Sequence, residues 1–407
     1  MCDTPYPSDA SDPARTGRTI LLADAAVDAM GTTCCPAAVV LDGDRIEAVD
    51  TPQAIGAIPD ATTHDWTGHI LLPGLVNAHT HLDLSGPGPW LPEADFLAWI
   101  GRVRRLRSET ASPSDAVTQG VRLARAGGTV AVGDIVGHPS DASLEALARS
   151  GLHGQAFIEG FGLGTMQASV VDRFASRAGQ QFGRLRAGFS PHAPYSCGPD
   201  VFAGAALLAG AVSTHIAETP EELALLAGGT GPFRALLMDD VGLPQEALPI
   251  AGVHPIDLLI DDLAGVLCVH LNCIEQRHAE ALASVGAVAC LCPRATAYFG
   301  RDVPGPFAML REAGVAIVLG TDALLCLDTP DRICMLDEAR VLYGLGAASA
   351  LDLLAMITTS SADALSVDRA MVNLHSGPTA GILAVPGESL DGVLSGTDAP
   401  QWAAGPF

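Results

Sequence analysis

From residue 71 onward, short apolar runs of strand length alternate with Ala- and Leu-rich stretches of helical pattern. Nearly continuous apolar strands separated by helices predict a parallel sheet whose faces are covered by helices. The eight runs are LVNAHTHLD, GTVAVGDI, GQAFIEGFG, LRAGFSPH, AVSTHIAE, GVLCVHLN, AVACLCP and VAIVLGTD. The stretches between them include PSDAVTQGVRLARAG, SLEALARSG, PEELALLAGG, RHAEALASVG and FAMLREAG. Eight repeats over about 300 residues favour a (β/α)8 barrel, of the α/β class, over a doubly wound sheet.

The segments on either side of this region have a different pattern. Residues 18–70 contain short β-type runs separated by turn residues, and LDGDRIEAV within them predicts a hairpin with a tight Asp-Gly-type turn. A final helix near LDLLAMITTSSADALS leads to LHSGPTAGILAVP, which we expect to return to the same β region. The sequence therefore predicts a small β domain from residues 18–70 and 372–407 and a barrel over 71–371. Residues 1–17, rich in Pro, Ser and Asp, are predicted to be disordered.

Charge and cysteine content limit the classes of partner and compartment. The 407-residue chain has a formal net charge of -24, which disfavours a nucleic-acid backbone or an anionic membrane as a partner. A small polar substrate remains open. No uninterrupted apolar stretch reaches the length that spans a bilayer. The ten cysteines have no regular spacing and the N-terminus does not resemble a secretory signal, so we expect a cytoplasmic protein.

Four side chains of types that bind metals follow the apolar runs in chain order. His79 and His81 end the first run, His215 ends the fifth and Asp322 ends the eighth. Residues two apart on a strand share a face, so the first two imidazoles can converge on one ion. A third imidazole and a carboxylate would complete a site for a divalent transition metal. Taken singly, each has an ordinary alternative, such as a hydrogen-bonded core histidine or, for Asp322, a helix cap.

Three more polar residues lie at the same ends of the predicted strands. Glu218 follows His215 by three residues and is a candidate proton shuttle, although a first-turn helix glutamate such as Glu221 or Glu222 is the alternative. His270 ends the sixth run, where it would orient the attacking water or stabilise developing charge; a core histidine is its alternative. His192 lies in SPHAPYS, on a loop between two prolines whose rigidity suits substrate positioning.

These motifs together resemble the amidohydrolase superfamily. PGLVNAHTHLD, SPHAPYS, HIAET, VHLN, CPR and LGTDA occur in the family's order over about residues 60–365. They are most similar to the branch of deaminases and chlorohydrolases that act on aromatic N-heterocycles. The resemblance implies one divalent metal, zinc or iron, bound by His79, His81, His215 and Asp322. It further implies that Glu218 is the proton shuttle.

The resemblance assigns the remaining site residues as well. It implies that His270 assists the attacking water and that His192 contacts the substrate. Dinuclear members usually bridge two metals through a carboxylated lysine, but this sequence contains no lysine and all 22 basic residues are Arg. Glu159 on the third run could bridge instead, or contact the substrate. We expect a mononuclear hydrolase whose catalytic residues are Glu218, His270 and Asp322.

The substrate is the least constrained part of the prediction. HTHLDLS followed by FLAWI resembles adenosine-type deaminases of this branch, including aminodeoxyfutalosine deaminases. CPRATAYFG departs from the common CPRSN pattern, having Ala295 and Thr296 where Ser and Asn are usual. Trp90 is a candidate for stacking on the heterocycle, although core packing is the commoner role of such aromatics. The alternatives are displacement on a triazine or pyrimidine ring and a catalytically silent binding protein. The resemblance is also compatible with a homodimer.

Overall fold

The computed structural model describes residues 17–137 and 141–407 of the chain. The predicted disordered segment 1–17 therefore lies, except for Gly17, outside the described residues. The strands are β1 Arg18–Asp28, β2 Gly31–Cys34, β3 Ala37–Asp42, β4 Arg45–Asp50, β5 Thr62–Pro73, β6 Leu75–Thr80, β7 Thr129–Val136, β8 His153–Gly160, β9 Gln181–Phe182, β10 Leu185–Pro191, β11 Ser213–Ile216, β12 Leu267–His270, β13 Val288–Leu291, β14 Ala316–Leu319, β15 Gly377–Pro378, β16 Ile382–Pro386 and β17 Gln401–Ala404.

Helices alternate with the strands over the middle of the chain. They are α1 Pro52–Ile55, α2 Phe96–Glu109, α3 Pro113–Ala126, α4 Asp141–Ala148, α5 Gln167–Arg177, α6 Pro199–Ala206, α7 Pro220–Gly228, α8 Pro232–Ala235, α9 Pro255–Leu259, α10 Gln276–Ser284, α11 Pro293–Tyr298, α12 Phe307–Ala313, α13 Met335–Gly344, α14 Ala350–Met356, α15 Thr359–Ala364 and α16 Leu390–Ser395. The mixed α/β class is as predicted.

All eight apolar runs form parallel strands, which confirms the prediction for each of them. One sheet contains β6, β7, β8 and β10 in that order, with β9 antiparallel at its edge, and a second contains β11, β12, β13 and β14. Parallel bridges join the two sheets at both ends, Phe189 to Val212 and Thr80 to Asp322. Every residue of β6, β7, β11 and β12 is buried, as expected where helices cover one face and side chains fill the other.

The flanking segments form a separate eight-stranded sheet. Its order is β15-β4-β3-β1-β5-β16-β17, with β2 paired to β1. The predicted hairpin is present, since β3 and β4 pair antiparallel from Asp42–Arg45 outward. Gly43 in its turn has φ +58°, a conformation that glycine adopts without steric cost. The C-terminal strand β16 lies between β5 and β17.

The predicted helices match α3, α4, α7, α10 and α12, but the final helix differs from the prediction. It is two helices, α14 and α15, because Thr358 has φ -136° and ψ -97°, outside the helical region. The break leaves the Ile357 carbonyl free to accept a hydrogen bond from Val76 N at 2.8 Å, at the start of β6. Pairing with the sheet therefore outweighs the helical pattern at this point.

Close approach of β14 to β6 depends on one glycine. A Cβ at Gly320 would lie 2.7 Å from His79 Cβ and 2.8 Å from His79 O. Without a side chain there, Thr321 N and Asp322 N both donate to His79 O, at 3.0 and 3.1 Å. This contact sets the first and last strands of the parallel series side by side.

None of the helices in the described part of the chain is long and apolar enough to cross a membrane. The cysteines in these ranges are free thiols, most of them buried. Burial raises the pKa of Cys268 and Cys334 to about 12, so these thiols act as small apolar residues of the core.

Candidate active site

The side chains predicted to be functional lie at or just after the C-terminal ends of the parallel strands, where the backbone is unusual. Ala217, His270, Leu271 and Asp322 have positive φ, between +51° and +75°, although none is glycine. Such conformations cost of order 1–3 kcal/mol each and collect at functional sites. Each of them follows or ends a strand of the second parallel sheet. The backbone at these strand ends is thus held in conformations that residues other than glycine rarely adopt.

The four predicted metal ligands do converge. His81 Nε2 lies 3.3 Å from His215 Nε2 and 3.4 Å from Asp322 Oδ1. His79 Nε2 is 3.7 Å from Asp322 Oδ1. The rings of His79 and His215 have their centroids 5.0 Å apart. All four side chains are buried.

The donor set fits a divalent metal ion. His79 Nδ1, His79 Nε2 and His81 Nδ1 are buried and have no hydrogen-bond partner within residues 17–137 and 141–407. Buried polar atoms are normally paired, so these nitrogens are available to bind something else. His215 Nδ1 donates to the His192 carbonyl at 2.8 Å, which fixes its tautomer and leaves Nε2 free as a ligand. Three imidazoles and one carboxylate suit zinc or iron.

The charges of these groups suit the same role. Burial, and then the neighbouring His79, lowers the pKa of His215 to about 3, so its ring is neutral. Burial likewise lowers the pKa of His81 and His270 well below the usual value. For Asp322 burial acts in the opposite sense, but the imidazoles of His79, His81 and His270 packed around it lower its pKa overall. Neutral imidazoles beside an ionised carboxylate are the forms that bind a cation.

Glu218 lies beside this cluster and outside any helix. Helix α7 begins only at Pro220, with Thr219 as its N-cap, so the alternative of a first-turn helix glutamate is wrong. Glu218 Oε2 is 3.9 Å from His270 Nε2, and its Oε1 accepts from Arg301 Nη1 at 3.2 Å. Burial raises the pKa of Glu218 to about 7, against the opposing effect of Arg301.

The backbone of Glu218 is fixed by two residues that the sequence did not single out as functional. Glu222 is fully buried, and its carboxyl group accepts from Ala217 N at 3.1 Å and from Glu218 N at 2.8 Å. Asn272 Nδ2 donates to Glu218 O at 3.2 Å. Glu222, predicted as an ordinary first-turn acid of α7, is in fact part of the support of the site.

A second polar group adjoins His215, whose ring centroid lies 5.1 Å from that of His192. His192 Nδ1 is 2.7 Å from Ser196 Oγ, and its Nε2 is 3.9 Å from Glu159 Oε1. Glu159 Oε2 accepts from Arg107 Nη1 at 3.4 Å. Arg107 also donates to Asp83 Oδ2 through Nε at 2.9 Å. Glu159, His192 and His215 have ligand atoms within 4.8 Å of one another, so the two groups form one continuous polar surface.

Trp90 is the aromatic side chain predicted to stack on the heterocycle. Trp90 is half-buried on the loop after β6, with Arg102 Cζ 4.0 Å from its ring centroid. The backbone N–H of Trp90 donates to Leu325 O at 2.9 Å, which connects this loop to the chain after β14. Tyr298 OH donates to Leu91 O at 2.8 Å on the same loop. Phe161 packs against His192, with ring centroids 4.5 Å apart.

The alternative of Asp322 as a helix cap fails, because the N-cap of the short 3-10 helix that follows is Ala323.

Buried imidazoles, a converging carboxylate and an adjacent acid at the ends of parallel strands are the groups that a metal-dependent hydrolase uses. Residues 70–385 match the sequence profile of the amidohydrolase family, which covers most of the chain. The chain belongs to the amidohydrolase family.

Several named proteins are similar to the chain over most of their own length. The chain is 29% identical over 353 residues to the aminodeoxyfutalosine deaminase of Deinococcus radiodurans, covering 80% of each chain. It is 26% identical over 375 residues to the 5-methylthioadenosine/S-adenosylhomocysteine deaminase of Symbiobacterium thermophilum, covering 86% of this chain and 80% of the relative. The fold is similar to that of Helicobacter pylori aminofutalosine deaminase in complex with methylthio-coformycin. That match has a TM-score of 0.78 at 19% identity and covers 95% and 99% of the two chains.

Proposed function

We propose that this protein is a metal-dependent hydrolytic deaminase of an aminated purine nucleoside derivative, with aminodeoxyfutalosine as the first candidate. The observation that carries the proposal is the convergence of His79, His81, His215 and Asp322 beside the buried acid Glu218. The names of the relatives support the same class of substrate. We propose zinc as the metal, with iron as the alternative, because both accept imidazole and carboxylate ligands.

The proposed reaction replaces the exocyclic amine of the purine by oxygen. His79, His81, His215 and Asp322 would hold a divalent metal, which would supply Lewis-acid activation of the attacking water. Glu218 accepts a proton from that water and delivers it to the amine, which leaves as ammonia. Its pKa of about 7 suits both halves of the transfer near neutral pH. His270, 3.9 Å from Glu218 Oε2, holds the attacking water on the shuttle's side.

The His192 group supports a substrate that carries hydroxyl groups. Ser196 Oγ donates to Ala193 O at 3.1 Å, so it accepts from His192 Nδ1–H and leaves Nε2 as an acceptor. Glu159 Oε1, 3.9 Å away, is buried and has no hydrogen-bond partner in the described ranges. Two facing acceptors need donors between them, and the adjacent hydroxyls of a ribose provide two. A chlorotriazine offers no such pair, which favours the nucleoside.

The same proposal includes the architecture and setting. We propose that the eight parallel strands close into a (β/α)8 barrel, supported by the bridges at both sheet edges. The eight-stranded sheet from the two ends of the chain would be its small β domain. Free buried thiols support a reducing cytoplasm. A homodimer is the assembly we propose to test first.

An ammonia-release assay with the metal content measured on the same sample tests the function. The panel contains aminodeoxyfutalosine, adenosine, methylthioadenosine, S-adenosylhomocysteine, guanine and cytosine, together with a chlorotriazine on which chloride release is measured. We expect the protein to contain about one metal ion per chain and to release ammonia from a purine nucleoside. Glu218→Gln should retain the metal and lose about 10²- to 10⁴-fold in kcat, whereas the neighbouring Glu221→Gln should retain activity. A metal-loaded protein that is inactive on the whole panel would refute the proposed substrate class.

A further inference from the structure

Arg301 is placed by a local motif at the end of α11. Gly300 has φ +68°, Gly300 N donates to Ala297 O at 2.9 Å, and Arg301 N donates to Thr296 O at 3.1 Å. This pair of hydrogen bonds is the Schellman motif, in which a left-handed glycine ends a helix and fixes the residue after it. The sequence Tyr-Phe-Gly-Arg therefore determines where the Arg301 side chain starts.

The guanidinium of Arg301 is held on a second side by aromatic rings. Its Cζ lies 4.8 Å from the ring centroid of Phe299 and 5.1 Å from that of Phe96. Arginine is suited to such stacking because its guanidinium is planar and weakly hydrated. Phe96 is the first residue of α2 and Phe299 follows α11, so two elements enclose the group. Little freedom is left to this side chain before it meets its carboxylate partner.

The partner is Glu218, whose Oε1 accepts from Arg301 Nη1 at 3.2 Å. The Glu218 side chain is 5% exposed and that of Arg301 is 18% exposed, so the pair is shielded from water and from salt. The same segment reaches the backbone of Glu218, since Thr296 Oγ1 donates to Asn272 Oδ1 at 3.4 Å and Asn272 donates to Glu218 O at 3.2 Å. Residues 296–301 thus bond the side chain of one acid through Arg301 and reach its backbone through Asn272.

We propose that Arg301 is a positioning residue that holds the Glu218 carboxyl group in its working orientation. With Oε1 bound to the guanidinium, Oε2 is the atom left facing His270, at 3.9 Å. A glutamate side chain has three rotatable torsions, and fixing them before the reaction removes an entropic cost from the proton transfer. The inference rests on the proposed role of Glu218 as the proton shuttle.

Kinetics of Arg301→Gln and Arg301→Lys separate positioning from substrate binding. Arg301→Gln is expected to lower kcat about 10²-fold, the scale of loss that a misplaced catalytic group produces, with KM and metal content within about twofold of wild type. Arg301→Lys should recover part of kcat because it restores the charge but not the planar contact. The control is Arg122→Gln, which removes the same charge from an exposed site on α3. A rise in KM at constant kcat would overturn the proposal in favour of substrate binding, and so would unchanged kinetics.

A double-mutant cycle on unfolding tests the pair without reference to activity. Arg301→Gln, Glu218→Gln and the double variant are unfolded in urea, and the loss of stability caused by Arg301→Gln is compared in the two backgrounds. We expect a clearly smaller loss in the Glu218→Gln background, because the partner is already absent. Equal losses would show that the two side chains are not coupled. If Glu218→Gln kept wild-type kcat, the shuttle role would fail while the cycle still reported on the ion pair.

Discussion

Replacing Glu222 by Gln should weaken the fold locally beneath the proposed shuttle. Glu222 receives two backbone hydrogen bonds, from Ala217 N at 3.1 Å and from Glu218 N at 2.8 Å. Burial raises its pKa to about 8, so at pH 6 the folded protein holds it as the neutral acid. Glutamine has nearly the same size and the same charge as that acid. The substitution therefore isolates hydrogen bonding from charge and from packing.

The magnitude follows from the acceptors that remain. Both oxygens of a carboxylic acid can accept a hydrogen bond, whereas the nitrogen of a primary amide cannot. One of the two backbone N–H groups would be left buried without a partner, at a cost of about 1–3 kcal/mol. Ala217 also has φ +51° and needs its neighbours to hold that conformation. We expect a loss of about 2 kcal/mol in the free energy of unfolding at pH 6.

The loss should shrink at higher pH. A carboxyl group whose pKa is raised in the folded state, from 4.5 to about 8 for Glu222, adds stability that is complete below the unfolded value and is lost as pH rises through the folded one. Wild type therefore loses this contribution to its stability between pH 6 and pH 9, whereas the Gln variant has none to lose. The difference in the free energy of unfolding between the two proteins should become smaller over that range.

Urea unfolding at both pH values measures the effect, with Glu221→Gln as the matched control. Glu221 is the preceding residue on α7 and is only partly buried, so its loss should stay within about 0.5 kcal/mol. Equal losses for the two variants, or a Glu222→Gln loss that grows from pH 6 to pH 9, would refute the reasoning.

Three further outcomes are expected. Removing the metal with a chelator should lower Tm, because the buried nitrogens of His79 and His81 lose their partner, and added zinc should restore it; an unchanged Tm would argue against a metal there. A nucleoside lacking the 3′-hydroxyl should react with a kcat/KM lower by about tenfold or more, since an acceptor on His192 or Glu159 is left unpaired; equal rates would exclude that contact. Tyr298→Phe removes the hydrogen bond to Leu91 O and should lower the free energy of unfolding, measured in urea, by about 0.5–1.5 kcal/mol. A larger effect would mean that this loop is part of the folded core.

The features that could be predicted from the sequence are those set by strand periodicity. The eight apolar runs became eight parallel strands, and residues at their C-terminal ends meet because parallel strands end at one edge. His79, His81, His215 and Asp322 were therefore predictable as a group, although their binding of a metal stays a prediction. The division of the last helix at Thr358 was not, since it depends on pairing between Ile357 O and Val76 N.

The supporting residues could not be predicted in the same way. Arg301 meets Glu218 from 83 positions away, and Arg107 meets Glu159 from 52 positions away. Neither arginine lies on a strand, so no period relates it to its partner. A weak signal exists for Arg301, because Gly-Arg after the apolar Tyr-Phe is typical of a helix that ends in a Schellman motif.

The departure of CPRATAYFG from the usual pattern can now be given a structural meaning. Thr296 stands where asparagine is usual, and its hydroxyl bonds Asn272, which in turn bonds the carbonyl of Glu218. The backbone of the acid is thus supported by a chain of two hydrogen bonds, and Arg301 supports its side chain from the same segment. On the proposed role of Glu218, a change in this loop is expected to act first on the orientation of that acid, and hence on rate. We propose that selection of the substrate's hydroxylated part lies instead with His192 and Glu159, so the two properties should respond to mutation separately.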